Sequence, residues 1–408
     1  MRLTGKRILV CGNGLSGQAV FSKVKELGGE PSFYTGGDFK REEYDFAVVS
    51  PSISKKGELY FKFNSLGLPA YSEIDFAYLI EPRTIIAVTG TNGKTTTVRL
   101  VEGMLRESGV DAVAAGNIGI PLTASRKAGV TVCEVSSFML EQSSFFRADY
   151  SAITNIRPDH LDRHGTFGEY DRLKRKLFAL TLLGVAIPKE NDYTIKEGLK
   201  RVTYSREERA DVYVSNVGIY YKNERIIDLE DVRIKGVRNQ ENILVALSLC
   251  IAYRGYDDRY ARFLRSYEGE PYRMAYRGRI KGKEVYNDSK GTNVAATIAA
   301  INELKSSVAL LLGGYGKRED YGELLDEMGF GKVFYCIFGK NKNEIAEECE
   351  KRKVGYKVFE SIESALDYAF SLRVDNILFS PTTSSFDEFS SYEERGKYFD
   401  ELLEKYKL

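Results

Sequence analysis

Residues 84–105 contain, in order, a short apolar run, a turn with glycine at both ends and an amphipathic stretch. Residues 85–88 have the composition of a buried parallel strand, and the glycines of residues 90–93 let backbone N–H groups converge on a ligand. A helix that begins directly after such a turn presents the positive end of its dipole to the same place. This segment predicts an α/β fold with a phosphate-binding loop at the carboxyl end of a strand.

The side chains of this turn are suited to a nucleotide triphosphate. Lys94 can neutralise the β- and γ-phosphates, and the hydroxyl group of Thr95 can hold Mg²⁺. The spacing departs from the full Walker motif, because Val88 stands five residues before Gly93, where the longer motif has glycine. The flanking strand and helix and the doubled threonine argue against a chance match. We therefore predict an ATP-binding loop made of Gly90, Thr91, Asn92, Gly93, Lys94, Thr95 and Thr96.

Composition excludes several classes of protein. A chain of 408 residues is too long for one ordinary core, so two or three domains are expected. The 59 basic and 58 acidic residues nearly cancel, so bulk charge attracts neither nucleic acid nor anionic lipid. The five cysteines are scattered and odd in number, which favours reduced thiols over a disulfide framework or a zinc site. We expect a cytoplasmic monomer without a signal peptide, membrane insertion or a nucleic-acid partner.

A second glycine turn follows the strand predicted at residues 7–11. Residues 12–17 have the spacing G-x-G-x-x-G before an amphipathic helix, which is typical of a dinucleotide site. A nicotinamide site also needs an acid at the end of the next strand, near Thr35, and none appears before Asp38. The turn therefore favours a phosphate-bearing ligand other than NAD. Glycines that only permit a tight turn remain the alternative.

The chain divides into three predicted α/β segments. Glu81 and Pro82 resemble a linker, and the sequence Gly-Glu-Pro at residues 269–271 marks a second boundary. The predicted fold class is α/β with three domains. They are a Rossmann-like N-terminal domain (residues 1–82), a central domain like a P-loop ATPase (residues 83–269) and a Rossmann-like C-terminal domain (residues 270–408).

Glu134 ends the otherwise apolar strand predicted at residues 130–135. Burial of an unpaired carboxylate costs several kcal/mol, so this side chain needs a partner. Mg²⁺ held by Thr95 is the partner that we predict. A partly exposed strand end with a salt bridge is the alternative.

Both histidines of the chain, His160 and His164, lie in one polar loop beyond a predicted strand. A position in a polar loop argues against burial of both side chains in the hydrophobic core. We predict His160 as a metal or substrate ligand and His164 as a residue that only structures the loop.

Lys174 occupies an unusual place on the helix predicted after this loop. At 100° per residue it falls in the middle of an apolar arc. The arc is formed by Tyr170, Leu173, Leu177 and Phe178. A lysine there must be paired, must extend its amine to solvent, or must be chemically changed. The residues alone favour extension of the amine to solvent. The alternative is carbamylation by CO₂, which would turn the cation into an anionic ligand for a second Mg²⁺.

Five segments together resemble the Mur ligase family of ATP-dependent amide-bond-forming enzymes. They are GTNGKT (90–95), GNIG (116–119), EVSSF (134–138), DHLD (159–162) and NDSK (287–290). Residues 287–293 and 380–399 further resemble the members that add D-glutamate to UDP-N-acetylmuramoyl-L-alanine (UDP-MurNAc-L-Ala). The resemblance covers all three predicted domains in the same order.

The resemblance implies a cytoplasmic ligase of peptidoglycan precursor synthesis, and hence of cell wall biogenesis, cell shape and cell division. It would join an acid to a D-amino acid and release ADP and phosphate. The alternatives are another Mur ligase or an enzyme like folylpolyglutamate synthase. The latter has no need of the first domain, which the resemblance assigns to the UDP-sugar.

The resemblance also implies roles for individual residues. Lys94 and Thr95 would serve the γ-phosphate and a first Mg²⁺ together with Glu134, whereas His160 and carbamylated Lys174 would serve a second Mg²⁺. The implied adenine nucleotide contacts are Asn239, Asn242, Arg273, Asp288 and Lys290. The implied muramoyl contacts are Asn117 and Ser136, and the implied uridine diphosphate contacts are Leu15, Ser16 and Thr35. The implied D-glutamate contacts are Thr292, Lys317, Ser385 and Phe386.

Overall fold

The computed structural model describes residues 2–190, 193–304, 306–315, 321–327, 332–385 and 387–407. The chain divides into two compact units, Met1–Tyr267 and Glu268–Leu408. Over the described residues, the first unit contains a four-stranded and a nine-stranded sheet and the second a six-stranded sheet. Most neighbouring strands are parallel and helices pack on the sheets, so the predicted α/β class is confirmed. The division into three domains at residues 82 and 269 stays a prediction.

The first sheet is parallel throughout, with the strand order β2-β1-β3-β4. Its elements are β1 (Arg7–Cys11), α1 (Leu15–Glu26), β2 (Glu30–Phe33), a 3₁₀ turn (Arg41–Glu43), β3 (Phe46–Val49), α2 (Glu58–Leu66), β4 (Ala70–Ser72) and α3 (Glu73–Ile80). Successive residues of β1 point to opposite faces, so Ile8 packs near Val20 of α1 whereas Leu9 packs near Phe63 of α2. Helices therefore bury both faces of this sheet.

The second sheet has the order β13-β12-β11-β10-β9-β8-β5-β7-β6, and its strands are parallel from β6 to β11 and antiparallel from β11 to β13. Its elements are β5 (Ile85–Thr89), α4 (Lys94–Glu107), β6 (Ala112–Gly116), a 3₁₀ turn (Leu122–Ala124), β7 (Val130–Glu134), α5 (Ser137–Gln142), β8 (Ala148–Ile153), α6 (Leu161–His164), α7 (Phe167–Ala179), β9 (Thr181–Pro188), β10 (Lys200–Ser205), β11 (Val212–Val214), β12 (Gly218–Tyr221), β13 (Glu224–Asp228), α8 (Val237–Arg254) and α9 (Arg259–Ser266). Helix α8 is buried along residues 242–252 because it packs against both α4 and the strands β9 and β10.

The sheet of the second unit has the order β14-β15-β19-β16-β17-β18, in which only the β14-β15 pair is antiparallel among the described strands. Its elements are β14 (Ala275–Ile280), β15 (Lys283–Asn287), α10 (Val294–Glu303), β16 (Val308–Gly313), α11 (Gly322–Glu327), β17 (Val333–Phe338), α12 (Lys342–Arg352), β18 (Tyr356–Val358), α13 (Ile362–Ser371), β19 (Asn376–Phe379) and α14 (Tyr392–Lys407). Within the part of the chain that the structure describes, every helix falls short of the length or the apolar character needed to span a bilayer.

Two buried carboxylates of α3 connect the first sheet to the second. Asp75 accepts hydrogen bonds from the backbone N–H groups of residues 144–146 at 2.6–3.1 Å. Glu73 accepts one from the backbone N–H group of Thr123 at 2.7 Å, and burial raises the pKa of its carboxyl group. Asp75 thus fixes α3 against the loop that follows α5, and Glu73 fixes it against the 3₁₀ turn that follows β6.

Replacement of Asp75 should loosen this connection. Asp75→Ala removes the shared acceptor of three backbone N–H groups, of which that of Phe146 is buried, so we expect the free energy of unfolding to fall by about 2–4 kcal/mol. Denaturant unfolding measures this change. The matched control is Asp111→Ala, which removes an exposed carboxylate paired with Arg126 and should leave the free energy of unfolding nearly unchanged. Equal losses of the free energy of unfolding in the two variants would contradict the role assigned to Asp75.

Candidate active site

Strand register brings three chain segments together at one edge of the second sheet. Glu134, the last residue of β7, stands opposite Val88 of β5 and Gly116 of β6. The strands are parallel, so the loops that leave them emerge on the same side. The phosphate loop after β5, Asn117 after β6 and Ser136 after β7 are thereby neighbours.

The phosphate loop requires glycine at Gly93, which is the N-cap of α4. Its φ angle of 80° lies in the left-handed region, and a Cβ atom there would stand 2.1 Å from Oδ1 of Asn242. Close approach of α8 therefore places Asn242, a predicted nucleotide contact, beside the loop.

The phosphate loop is held by hydrogen bonds to the segment after β8. The backbone N–H group of Thr91 donates to the carbonyl oxygen of Asn155 at 2.8 Å, and that of Asn92 donates to Oδ1 of Asn155 at 3.1 Å. The hydroxyl group of Thr154 donates to the carbonyl oxygen of Asn92 at 2.6 Å. Asn155 is recognisable from sequence as a polar residue at the end of an apolar strand, but no site role was predicted for it or for Thr154. These bonds preorganise the loop before a ligand arrives.

Lys94 folds back over this loop. Its Nζ donates to the carbonyl oxygens of Gly90 and Thr91 at 2.9 and 2.7 Å. These carbonyl oxygens carry a partial negative charge, so phosphate oxygens of a bound nucleotide could take their place as acceptors for the ammonium group. The predicted role of Lys94 is compatible with this position.

Glu134 is the centre of the site, with only 2 % of its surface exposed. Its Oε2 accepts a hydrogen bond from the hydroxyl group of Thr95 at 2.8 Å, and its Oε1 accepts one from Nδ2 of Asn117 at 3.0 Å. The alternative of a partly exposed strand end is therefore wrong. Neither donor carries a positive charge that would neutralise the carboxylate. The carboxylate and the threonine hydroxyl group can therefore supply oxygen ligands to a hard cation such as Mg²⁺.

Lys174 lies on α7 with 2 % of its surface exposed. Its Nζ donates to the carbonyl oxygen of Gly90 at 2.8 Å and to the hydroxyl oxygen of Thr89 at 3.2 Å. Extension of the amine to solvent, which the residues alone favoured, is therefore wrong. Burial and the charge of Lys94 hold the pKa of the Lys174 amine well below its usual value. A neutral amine is the form that reacts with CO₂.

The two histidines have different surroundings. The side chain of His160 is 49 % exposed and its Nε2 lies 3.5 Å from Oδ2 of Asp159, at the start of α6. His164 is buried, its Nε2 lies 3.0 Å from the hydroxyl oxygen of Ser137, and burial lowers its pKa. Phe138 contacts both rings, at centroid distances of 4.9 and 5.5 Å. His160 thus retains a free face for a ligand, whereas His164 packs inside.

The remaining predicted contacts of the first unit lie near helix ends. Ser136 caps α5 by accepting a hydrogen bond from the backbone of Met139 at 3.2 Å. Asn239, in the first turn of α8, donates from Nδ2 to the carbonyl oxygen of Lys235 at 2.8 Å. Thr96 is buried in the first turn of α4.

The predicted uridine diphosphate contacts lie at the carboxyl end of the first sheet. Leu15 and Ser16 begin α1, Thr35 follows β2, and Leu15 is 70 % exposed. A Cβ atom on Gly17 would stand 1.8 Å from the carbonyl oxygen of Gly12, so packing alone requires glycine there. The three contacts stay predictions.

The second unit holds the other predicted contacts, of which Lys317 and Phe386 lie outside the described residues. Asp288 is buried and accepts hydrogen bonds from the hydroxyl group of Ser380 at 2.7 Å and from the backbone N–H group of Met274 at 3.0 Å. Burial raises the pKa of Asp288 to about 6. The charge of Arg273 acts on this carboxyl group, and Lys290 lies two residues after Asp288, with its Nζ 5.3 Å from the ring centroid of Tyr392.

Ser385 and Thr292 differ in exposure, since Ser385 is buried and Thr292 is partly exposed. The carbonyl oxygen of Ser385 accepts a hydrogen bond from the backbone N–H group of Phe389 at 2.9 Å. This bond fixes the turn that carries Ser385.

Arg395 is a buried residue that the sequence analysis missed. Its guanidinium group donates to the carbonyl oxygens of Ser289, Thr383 and Ser384 at 2.8–3.1 Å, and burial lowers its pKa to about 10. The residue shares the apolar face of α14 with residues 399–403, which is the signal that identified Lys174. Arg395 ties the segment before α14 to the segment after β15.

Comparison with known proteins gives matches along the whole chain. Sequence models of the Mur ligase middle domain and of the Mur ligase glutamate ligase domain match residues 88–250 and 272–381. UDP-N-acetylmuramoylalanine–D-glutamate ligase of Caldanaerobacter subterraneus is 33 % identical over 99 % of both chains. The protein of the same name from Koribacter versatilis is 33 % identical over 99 % of this chain and 98 % of its own.

Solved structures share the fold at low sequence identity. UDP-N-acetylmuramate-alanine ligase MurC from Thermotoga maritima has a TM-score of 0.59 at 16 % identity, over 98 % of this chain and 99 % of its own. The MurF ligase from Thermotoga maritima, in complex with ADP, has a TM-score of 0.60 at 12 % identity, over 99 % of this chain and 96 % of its own. These structures show a common architecture.

The raised pKa of Asp288 predicts a pH-dependent difference in stability between the wild-type protein and the Asp288→Asn variant. The folded pKa of about 6 exceeds the ordinary value of 3.8, so the folded protein binds this proton first as the pH falls. The wild-type protein should therefore gain stability relative to the variant by about 2.3 kcal/mol between about pH 7 and about pH 4. Unfolding of both proteins across this range tests it, and parallel pH profiles would contradict the assigned pKa.

Proposed function

The chain belongs to the Mur ligase family and is an ATP-dependent, amide-bond-forming ligase, and from this premise we propose that it joins D-glutamate to UDP-MurNAc-L-Ala. Relatives that carry this activity in their names align with nearly the whole chain at 31–33 % identity. The hydrogen-bonded group of Thr95, Glu134 and Asn117 beside Lys94 is the observation that supports the chemistry. The alternative of a folylpolyglutamate-type ligase is not favoured, because the match to these relatives includes the first 82 residues.

The reaction needs an activated carboxylate, because an amine does not displace hydroxide at neutral pH. The alanyl carboxylate attacks the γ-phosphorus of ATP, the bond to the β-γ bridging oxygen breaks, and ADP leaves. The amine of D-glutamate then attacks the acyl phosphate, loses a proton, and the tetrahedral intermediate expels phosphate. Lys94 offsets the negative charge on the transferring group.

The oxygen atoms of Thr95 and Glu134 fit a first Mg²⁺. The Glu134 carboxylate is buried and its two oxygen atoms accept hydrogen bonds only from the uncharged side chains of Thr95 and Asn117, so its negative charge can bind a cation. Bound Mg²⁺ would neutralise phosphate charge at this place. We assign a second Mg²⁺ to His160 and to a carbamate on Lys174. That carbamate forms when the neutral amine of Lys174 bonds to the carbon of CO₂ and releases a proton to solvent.

Substrate placement follows the order of the chain. We assign uridine diphosphate to residues 1–82 through Leu15, Ser16 and Thr35, and the muramoyl group to Asn117 and Ser136. We assign the adenine nucleotide to Asn239, Asn242, Arg273, Asp288 and Lys290, and D-glutamate to Thr292, Lys317, Ser385 and Phe386. Binding of both substrates in attack geometry can supply about 7–11 kcal/mol of the barrier reduction.

We also propose that the protein acts as a monomer in the cytoplasm. The free cysteines Cys11, Cys133, Cys250, Cys336 and Cys349 are buried thiols in the structure. Burial raises the pKa of each thiol, which suppresses the reactive thiolate. Such thiols are compatible with a reducing compartment.

Release of ADP and phosphate tests the proposed reaction. It should require both UDP-MurNAc-L-Ala and D-glutamate, and L-glutamate, D-lysine and L-lysine tested separately should not replace D-glutamate. Lys94→Ala should lower the rate by about 10³-fold or more, since it removes a charge from the transferring phosphate. The exposed Lys127 provides the control substitution Lys127→Ala, which should leave the rate unchanged. Undiminished ligation by Lys94→Ala would overturn the scheme.

Loss of the amine in Lys174→Ala tests the carbamate. Activity should fall, and short carboxylic acids should restore part of it because they supply the missing anionic oxygen ligand. Lys176→Ala is the control, since Lys176 donates to the carbonyl oxygens of Leu140 and Ser143 instead. Wild-type protein in ¹³C-labelled bicarbonate should also show a carbamate carbon signal that Lys174→Ala lacks. Full activity of Lys174→Ala would exclude the role.

A further inference from the structure

A loop of the first sheet accepts hydrogen bonds from two side chains of helices that belong to the second sheet. Residues 50–53, here called the β3 loop, follow the carboxyl end of β3. Nε2 of Gln142 donates to the carbonyl oxygens of Ser50, at 3.1 Å, and of Ile53. The guanidinium group of Arg163 donates to the carbonyl oxygens of Ser52 at 2.9 Å and of Ile53 at 3.1 Å. The β3 loop is therefore attached to α5 and α6.

Arg163 makes two further contacts at once. It forms an ion pair with Glu141, from Nη2 to Oε2 at 2.7 Å and from Nε to the same oxygen at 3.1 Å. Its guanidinium carbon lies 4.2 Å from the ring centroid of Phe138, the ring that also contacts His160. The side chains of Arg163 and Glu141 are 12 % and 8 % exposed, so solvent screens the pair weakly. One planar group thus joins the β3 loop, α5 and the His160 loop.

The β3 loop adjoins the proposed uridine diphosphate site. A Cβ atom on Gly12, the first residue of the glycine turn, would stand 2.7 Å from Cβ of Ser50. On the other side, α5 begins three residues after Glu134. A ligand that reaches from the glycine turn to Glu134 would span the two sheets that Arg163 connects.

We propose that Arg163 is a positioning residue that fixes the distance between the uridine diphosphate half of the substrate site and the half that holds the reacting carboxylate. The proposal rests on the proposed function, which supplies a nucleotide-sugar that spans both halves. A ligand bound at two linked places gains affinity from the effective concentration that a rigid connection provides. A looser connection reduces that gain and leaves the affinity of each half unchanged.

Arginine is suited to this position and lysine is not. The guanidinium fork carries five N–H donors in one plane, so it can serve a carboxylate and two carbonyl oxygens while its face covers an aromatic ring. The three donors of lysine radiate from one nitrogen atom and cannot span these acceptors. Arg163→Lys therefore keeps the charge beside Glu141 but loses the connection to the β3 loop.

Calorimetric titration of the full chain with UDP and with UDP-MurNAc-L-Ala separates this role from a merely structural one. For Arg163→Ala and Arg163→Lys, we expect UDP to bind within about twofold of wild type and UDP-MurNAc-L-Ala to bind about tenfold or more weakly. In steady-state assays, KM for UDP-MurNAc-L-Ala should rise while KM for ATP stays the same. Arg147→Ala is the matched control, because Arg147 donates to the carbonyl oxygens of Ser144 and Phe146 and should leave all these values unchanged.

The outcomes are distinguishable. Equal weakening of UDP and UDP-MurNAc-L-Ala would overturn the proposal, since it indicates local damage to the uridine site, and unchanged binding of both would overturn it too. If wild-type protein fails to bind UDP-MurNAc-L-Ala, the proposed function fails first and the inference with it. Thermal melting checks that each variant folds. Gln142→Ala, which removes the other side-chain donor to the β3 loop, should show the same selective weakening of UDP-MurNAc-L-Ala binding if Arg163→Ala does not fold.

Discussion

Burial of the Glu134 carboxylate is the constraint around which the rest of the first unit is arranged. A charged group with 2 % exposure is tolerated only where donors meet its oxygen atoms, and Thr95 and Asn117 are those donors. The donors come from α4 and from the end of β6, so the order β5-β7-β6 at this edge of the sheet is a requirement of the site. The same arrangement sets the helix N-terminus, Lys94 and two oxygen ligands in one place, where a triphosphate and its metal ion can be bound together.

A second constraint comes from two lysines that share one acceptor. Lys94 and Lys174 both donate to the carbonyl oxygen of Gly90, at 2.9 and 2.8 Å. Two ammonium charges so close would repel each other, and burial makes the charge on Lys174 the more costly of the two. The lowered pKa of Lys174 eases this conflict, because it favours the neutral form of that amine. The neutral amine is also the nucleophile that carbamylation requires, so the packing of α7 against the phosphate loop connects directly to the proposed chemistry.

Local patterns predicted much of this site and left out a defined remainder. The α/β class and the family were predicted from sequence and are confirmed, and the apolar arc around Lys174 located a lysine that the structure buries. Arg395 lies in a similar buried arc on α14, with Phe399, Leu402 and Leu403. Arg163 lies in the recognised His160 loop, yet its acceptors on the β3 loop are more than a hundred residues away along the chain. Helical periodicity reports which face of one element is buried and carries no information about such a distant partner.

The amino-acid order specifies which chemical groups are present and which local structure carries them. It contains a glycine turn between a strand and a helix, a carboxylate at the end of an apolar strand, and a lysine within an apolar arc. Which of these groups meet depends on tertiary packing. Thr95 reaches Glu134 across 39 residues and Lys174 reaches Gly90 across 84, because parallel register aligns the ends of strands that are distant in the chain. Register and helix packing depend on the burial of the whole sheet, and that is a property of all the residues together.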